Sequence, residues 1–183
     1  MEQNINVIIE LANESNFFII KNFIPLFRHY LAEVYEELPN QYGIFAYDNE
    51  TKTLHELCDK RESWLKKPEE LFPFIIFAFD RPVGYMLISK SLYENKVTYF
   101  VNALFIVKPV RKNGIGTEVM QKILTLYSGS WELHTSSSGI NINTQIFWRN
   151  FINKITNGVF RESIIKTADG TSKLCFKFSN EKI

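Results

Sequence analysis

The sequence predicts an α/β fold: one domain over residues 1–183, with a central mixed, mostly antiparallel sheet flanked by helices on both faces. Three observations predict it. Short runs rich in β-branched and aromatic residues are interleaved with runs whose apolar residues recur at three- and four-residue steps, the mark of strands mixed with helices. Hairpin-length separations between some strands require antiparallel pairs, while one strand, glycine turn, helix and strand in succession require a parallel pair. Finally, 183 residues of which 45% are hydrophobic fill one sizeable core and fall short of two.

The elements follow in order. Residues Val7 to Ala12 read as a first strand, and Asn13-Glu-Ser-Asn as a helix-start signal. A long helix follows, with Phe17, Ile20, Phe23, Ile24, Phe27, Tyr30, Leu31, Val34, Tyr35 and Leu38 at helical spacing; Pro25 either kinks or divides it, and Pro39 stops it. Between Asn40 and Pro68, Leu54, Leu57, Trp64 and Leu65 allow a short helix. Strands Phe74 to Phe79 and Val83 to Ser89 form a hairpin about Asp80-Arg-Pro82, and a Tyr93-Glu-Asn-Lys96 turn leads to a third strand, Tyr99 to Val107. After the glycine turn come a helix from Thr117 to Tyr127, a stop at Ser128-Gly-Ser130, and a strand from Trp131 to Thr135. A last helix spans Asn143 to Ile155, with Ile146, Phe147, Phe151 and Ile155 as its apolar stripe. Strands Gly158 to Ile165 and Leu174 to Phe178 close the chain around Ala168-Asp-Gly-Thr171.

Composition excludes several function classes. Lys plus Arg number 21 against 20 Asp plus Glu, so no global field draws the protein to nucleic acid or to an anionic membrane. Cys58 and Cys175 lie far apart with no Cys-x-x-Cys or histidine cluster near them, so both read as structural thiols and no metal site is expected. The opening residues, Met1-Glu-Gln-Asn-Ile-Asn, lack a basic stretch followed by an apolar one. A cytoplasmic protein is expected.

The most informative stretch is Arg111-Lys112-Asn113-Gly114-Ile115-Gly116, set between a strand and a helix. The first turn of a helix carries unpaired amides and the positive end of its dipole, and glycines let an anion approach the backbone; Arg111 and Lys112 add charge. It is neither the dinucleotide fingerprint, which needs a third glycine and a later acid, nor the nucleotide-hydrolase loop, which needs Gly-Lys-Ser/Thr. It resembles the Arg/Gln-x-x-Gly-x-Gly/Ala signature of the GNAT superfamily of N-acetyltransferases, and the order of elements is similar to theirs from first strand to last.

That resemblance implies acetyl-CoA as cosubstrate. It places the pantetheine arm along Leu104, Phe105 and Ile106, in a gap where this strand splays from the next, and the pyrophosphate on the amides from Lys112 to Thr117, the turn Arg111, Lys112, Asn113, Gly114, Ile115, Gly116 and Thr117 forming the clamp. Leu104 to Val107 reads equally as a core strand. A second similarity is Asn141-x-x-Thr144-x-x-Phe147-Trp148 to the family's Asn-x-x-Ala-x-x-Phe-Tyr, making Asn141, Phe147 and Trp148 further cofactor contacts or core residues. The run Gln145-Ile-Phe-Trp-Arg149 resembles a subgroup of bacterial members whose substrates are mostly unassigned.

Two departures bear on catalysis. The family often has a tyrosine as acid for the departing thiolate where Trp148 stands, and an indole cannot deliver a proton at neutral pH. The family's glutamate base has no counterpart near Val101-Asn102-Ala103. Asn102, His134 and Glu132 are the remaining candidates, His134 being tuned for base work near neutrality. Acceptor contacts are expected from the first helix and its following loop, among Arg28, His29, Tyr30, Glu33, Tyr35, Glu36, Glu37 and Tyr42. The acidic ones are equally a solvated helix face.

The implied function is transfer of acetyl to a primary amine of a small molecule or exposed peptide amino group by direct attack in a ternary complex. The alternatives are an acyl-CoA-binding sensor or interaction module without activity, and a transferase using another acyl-CoA. Dimerisation is common among similar proteins.

Overall fold

The computed structural model describes residues 5–93, 96–167 and 170–181. Residues 1–4, read above for a leader, and residues 94–95 and 168–169, assigned above to two turns, lie outside these. Strands β1 (Ile8–Leu11), β2 (Leu71–Ala78), β3 (Arg81–Tyr93), β4 (Lys96–Ile106), β5 (Ser130–Ser136), β6 (Arg161–Lys166) and β7 (Ser172–Ser179) form one sheet in the order β1-β2-β3-β4-β5-β7-β6. Every neighbouring pair is antiparallel except β4–β5, which the intervening helix makes parallel.

Helices α1 (Phe18–Tyr35) and α2 (Leu54–Asp59) cover one face. Phe17, Ile20, Ile24, Leu57 and Trp64 pack there against Ile75, Tyr85, Leu87, Ala103 and Phe105. Helices α3 (Ile115–Leu126) and α4 (Ile142–Ile155) cover the other, where Ile115, Val119, Met120 and Ile123 share a core with Ile76, Met86, Val101, Leu133 and Phe176. Each fully buried aliphatic or aromatic side chain contributes about 1.5–3 kcal/mol, so both layers hold the sheet. No described helix is long and apolar enough to cross a membrane.

Pro25 neither breaks nor divides α1. Proline has no amide to give the carbonyl four residues back, that of Lys21. The Cys58 thiol, from α2, donates to that oxygen instead at 3.2 Å, and the Lys21 ammonium pairs with Asp59 and Glu62. The structural reading of Cys58 thus acquires a definite partner. Helix α1 stops at Tyr35, before the expected Pro39, because Glu36 adopts a left-handed conformation and Glu37 N–H closes back on Ala32 O. Leu38, expected in the apolar stripe, is consequently 89% exposed.

Two further expectations shift. The β2–β3 turn is the two residues Phe79-Asp80, both at positive φ, so Arg81 and Pro82 pair with Ala78 and Phe77 instead of forming the turn. Left-handed pairs of this kind match strand twist, and this overrides the pull of Pro82. On α4, Ile146 is 45% exposed; the inward stripe is Trp148, Phe151 and Ile152.

What positions the site is β4. Val101 pairs with Ile88 and Ala103 with Leu87, so Asn102 is an extra residue that bulges the strand. Pairing of β4 with β5 runs only from Thr98–Ser130 to Val101–Leu133, although β4 continues to Ile106 and β5 to Ser136. The sheet opens into a wedge from the bulge onward. Across β4, Gly84 lets β3 approach so closely that a Cβ there would lie 2.0 Å from Phe105 O.

Candidate active site

The wedge leads into a cavity of about 750 Å³, bounded by Leu104, Phe105 and Ile106 of β4, the glycine turn, and the start of α4. Its wall includes Lys112, Gly114, Ile115, Gly116 and Thr117 of the turn and the first turn of α3. Lys112 and Gly114 adopt positive φ, and the first bond of α3 is Glu118 N–H to Gly114 O. The amides of residues 112–117 donate to no acceptor among the described residues. A Cβ added at Gly114 would meet nothing within 4 Å, so the approach to these amides is open. Lys108, Arg111 and Lys112 line the cavity and no carboxylate does. Unpaired amides, a helix N-terminus and three cations together suit a polyanion such as a pyrophosphate.

The sequence-identified residues are placed unevenly. Leu104, Phe105, Ile106, Arg111, Lys112, Gly114, Ile115, Gly116, Thr117, Asn141, Phe147 and Trp148 all line this cavity. Asn113 does not: its side-chain Nδ2 donates to Val110 O and shapes the turn. Arg111 is folded back, Nε donating to Ile106 O at 2.6 Å with the guanidinium 4.7 Å from the Tyr30 ring. Phe147 is half-buried and seats Gly116, whose missing Cβ would lie 3.3 Å from Phe147 Cζ. Trp148 is 5% exposed, a core residue whose edge meets the cavity. Lys108, Val110, Ile140 and Asn143 complete the wall and are not singled out by the sequence; the only signal for Lys108 is a third cation beside Arg111 and Lys112.

A second cavity of about 280 Å³ adjoins the first, on the α1 side of the bulge. Tyr30, Leu104, Asn141, Thr144 and Trp148 border both. At this junction Tyr30 Oη lies 3.2 Å from Thr144 Oγ1 and 3.3 Å from Asn141 Oδ1. Asn141 is itself fixed, its amide donating to Thr135 Oγ1 and Ser136 O. Thr144 is one helical turn before Trp148, and helix side chains lean toward the N-terminus. The Tyr30 hydroxyl therefore sits over the turn that a side chain at position 148 would cover.

Asn102 and His134 line the smaller cavity; Glu132 stands behind His134. His134 Nε2 and Glu132 Oε1 are 2.7 Å apart, and Glu132 Oε2 takes Lys177 at 2.9 Å. Burial pushes the Glu132 carboxyl up, but the hydrogen bonds and charges of Lys177 and His134 outweigh it and hold it below the usual range. Cys175, opposite His134 in the register, is buried; burial, then the Glu132 charge, push its thiol up, as for an inert structural cysteine. Glu132, His134 and Cys175 have donor atoms within 4.8 Å of one another, a grouping that spacing in sequence does not reveal.

The residues named for acceptor contacts, on α1 and the loop after it, are not all brought together. Glu33 is exposed beside His29, and Tyr42 sits under Lys52; neither borders either cavity. Glu33 points outward because α1 buries the stripe Ile20, Ile24, Arg28 and Ala32. Arg28 is 3% exposed and ties the loop after α1, donating to Phe45 O, Ala46 O and Glu37 Oε2. Glu37, Tyr35 and Tyr30 do reach the smaller cavity, with Phe27, Leu31, Tyr47 and Lys173, which sequence reasoning misses.

Comparison with known proteins places this geometry. In overall structure the chain is similar to the ribosomal L7/L12 alpha-N-protein acetyltransferase RimL in complex with coenzyme A, at TM-score 0.65 and 10% identity over 96% of each chain. It is also similar to the aminoglycoside acetyltransferase AAC(6')-Ib with coenzyme A, at 0.64 and 13% over 96% of each. An acetyltransferase from Thermus thermophilus aligns at 0.60 and 15%, over 95% of this chain and 97% of that one. At these identities the likeness is one of fold. No curated protein sequence matches the chain. The model of the acetyltransferase (GNAT) family matches residues 30–142, from the Tyr30 that borders both cavities to the first residue of α4, and the chain belongs to that family.

Proposed function

We propose that the chain is an acetyl-CoA-dependent N-acetyltransferase that moves an acetyl group to a primary amine by direct attack. The observation that carries this reading is the run of amides from Lys112 to Thr117 without a described acceptor, beside a basic cavity that adjoins a second one at Tyr30. The amides and cations receive the pyrophosphate, β4 from Leu104 to Ile106 runs beside the pantetheine arm, and the thioester reaches the junction. An acceptor amine enters from the smaller cavity. Structurally similar proteins, one named for an aminoglycoside and one for a protein amino group, support a small-molecule or peptide amine in general terms.

The chemistry then follows from the side chains present. An amine must lose its proton, with a pKa of about 10, before its nitrogen attacks the thioester carbon. Glu132 engages one ring nitrogen of His134, which leaves the other to accept that proton, directly or through a water that Asn102 orients, while the carboxylate stabilises the imidazolium. The C–S bond breaks as the C–N bond forms, and the thiolate takes a proton. Of the residues bordering both cavities, only Tyr30 carries a proton acidic enough to give. It supplies from α1 what Trp148 cannot.

Trp148 also favours a second reading, a module that binds acyl-CoA and transfers nothing. Thiol release from acetyl-CoA across a panel of amines separates the two. Turnover with at least one amine, reduced by Tyr30→Phe and by His134→Ala, supports transfer. Saturable acetyl-CoA binding with no thiol release supports the module, and faster release from a longer acyl-CoA would move the donor assignment.

A further inference from the structure

The charges in the smaller cavity select among amines. At about 280 Å³ it is much the smaller of the two cavities, against about 750 Å³ for the first, and so favours a compact body. Phe27, Leu31, Val34 and Tyr47 give it an apolar and aromatic wall. Apart from His134 and three tyrosines, the titratable side chains that border it are Arg28, Glu37 and Lys173.

Glu37 is already committed. Its Oε2 accepts from Arg28 at 2.9 Å, and Arg28 is 3% exposed. Drawing that carboxylate toward a ligand ammonium would strip a buried guanidinium of its counter-ion. Glu132 is held by Lys177 and His134, and Glu33 and Glu36 lie off the cavity. Lys173, half-buried on β7 opposite Ser136, enters no ion pair among the described residues. Among the described residues the cavity thus presents a cation without a counter-ion and no carboxylate free for a second ammonium. The same excess positive charge favours the neutral, nucleophilic form of one entering amine.

We infer that the acceptor is a compact monoamine with an apolar or aromatic body and a carboxylate received by Lys173, an amino-acid-like molecule, as opposed to a polyamine or aminoglycoside. This rests on the transfer reading above for the amine's fate, but its binding arm is read separately. The test is calorimetric titration of L-phenylalanine, phenylalaninamide, phenethylamine and kanamycin into the CoA-loaded protein and its Lys173→Glu and Lys173→Met variants. L-Phenylalanine is expected to bind roughly tenfold tighter than phenylalaninamide, as one charge-assisted contact gives. Lys173→Met should erase that preference, Lys173→Glu should reverse it, and kanamycin should not saturate at millimolar concentration. Kanamycin or the amide binding as tightly as phenylalanine, no saturation by any of the four, or a preference that survives both variants overturns the inference. Repeating the amine titrations without CoA, and titrating CoA alone into the unloaded protein, separates the two readings. Protein that takes CoA but prefers kanamycin loses only the acceptor assignment; protein that ranks the amines as expected yet takes no CoA loses only the donor assignment.

Discussion

Single residues decide whether the donor cavity is usable, and Gly114 is the most exposed of them. Its φ of +78° and the open space where a Cβ would project mean that a side chain there costs strain and also enters the cavity. Gly114→Asp adds a negative charge at the amide row, and acetyl-CoA affinity should fall by at least about 100-fold in a folded variant, measured by titration calorimetry. Gly84 answers to a different constraint. Its Cβ would strike backbone, the Phe105 carbonyl at 2.0 Å, so Gly84→Ala should lose about 3 kcal/mol in denaturant unfolding through the forced separation of β3 and β4. Phe79 runs the other way. Held at φ 55° in the two-residue turn and 45% exposed, it is strained without compensating burial, and Phe79→Asn should gain about 1 kcal/mol.

At the scale of elements, the junction of α1 and α2 joins a backbone defect to its remedy. Pro25 leaves Lys21 O without a helical donor, and Cys58 supplies one from α2. Cys58→Ala should cost about 1–2 kcal/mol in the natural chain and measurably less in a Pro25→Ala background, where the amide is restored; equal costs in both would separate the thiol from the proline. The β5–β7 pair carries a pH dependence. Because the folded Glu132 carboxyl is held below its ordinary value of 4.5, its contribution is complete above that value and is lost as pH falls through the folded value. Melting temperature should therefore drop below about pH 4.5, and less steeply in Glu132→Gln.

These elements also show what the sequence alone carries. Strands and helices are legible because burial on one face repeats with period two or 3.6, and the parallel β4–β5 pair follows from the helix between them. Boundaries set by backbone dihedrals are not: Glu36 ends α1 and Phe79-Asp80 makes a turn with residues that do not announce positive φ. Much of the larger cavity's wall comes from one stretch, Leu104 to Thr117, and a local motif makes that stretch legible. The smaller cavity draws Tyr30 from α1, Asn102 from a bulge, His134 from β5 and Lys173 from β7, and no local pattern brings residues so distant in sequence together. That Glu33 lies off both cavities is not legible for the complementary reason, since helical spacing gives a face but not which neighbour it meets.

Over the whole molecule, the sheet behaves as a single frame with one opening. Two helical layers cover its faces, the Asn102 bulge and the loss of β4–β5 pairing after Val101 part its middle, and both cavities meet at that parting. A ligand lying across the parting touches β4, α3, α4 and α1 together, so binding should stabilise the fold as a unit. The most direct test is the melting temperature of the natural chain and of Gly114→Asp with and without acetyl-CoA. At about 100 times the dissociation constant, a ligand that binds only the folded state adds about 2.7 kcal/mol. The natural chain should melt several degrees higher with acetyl-CoA and Gly114→Asp should not move; an unchanged melting temperature for the natural chain at saturating acetyl-CoA, or an equal rise in the variant, would contradict the assignment of the glycine turn as the pyrophosphate site.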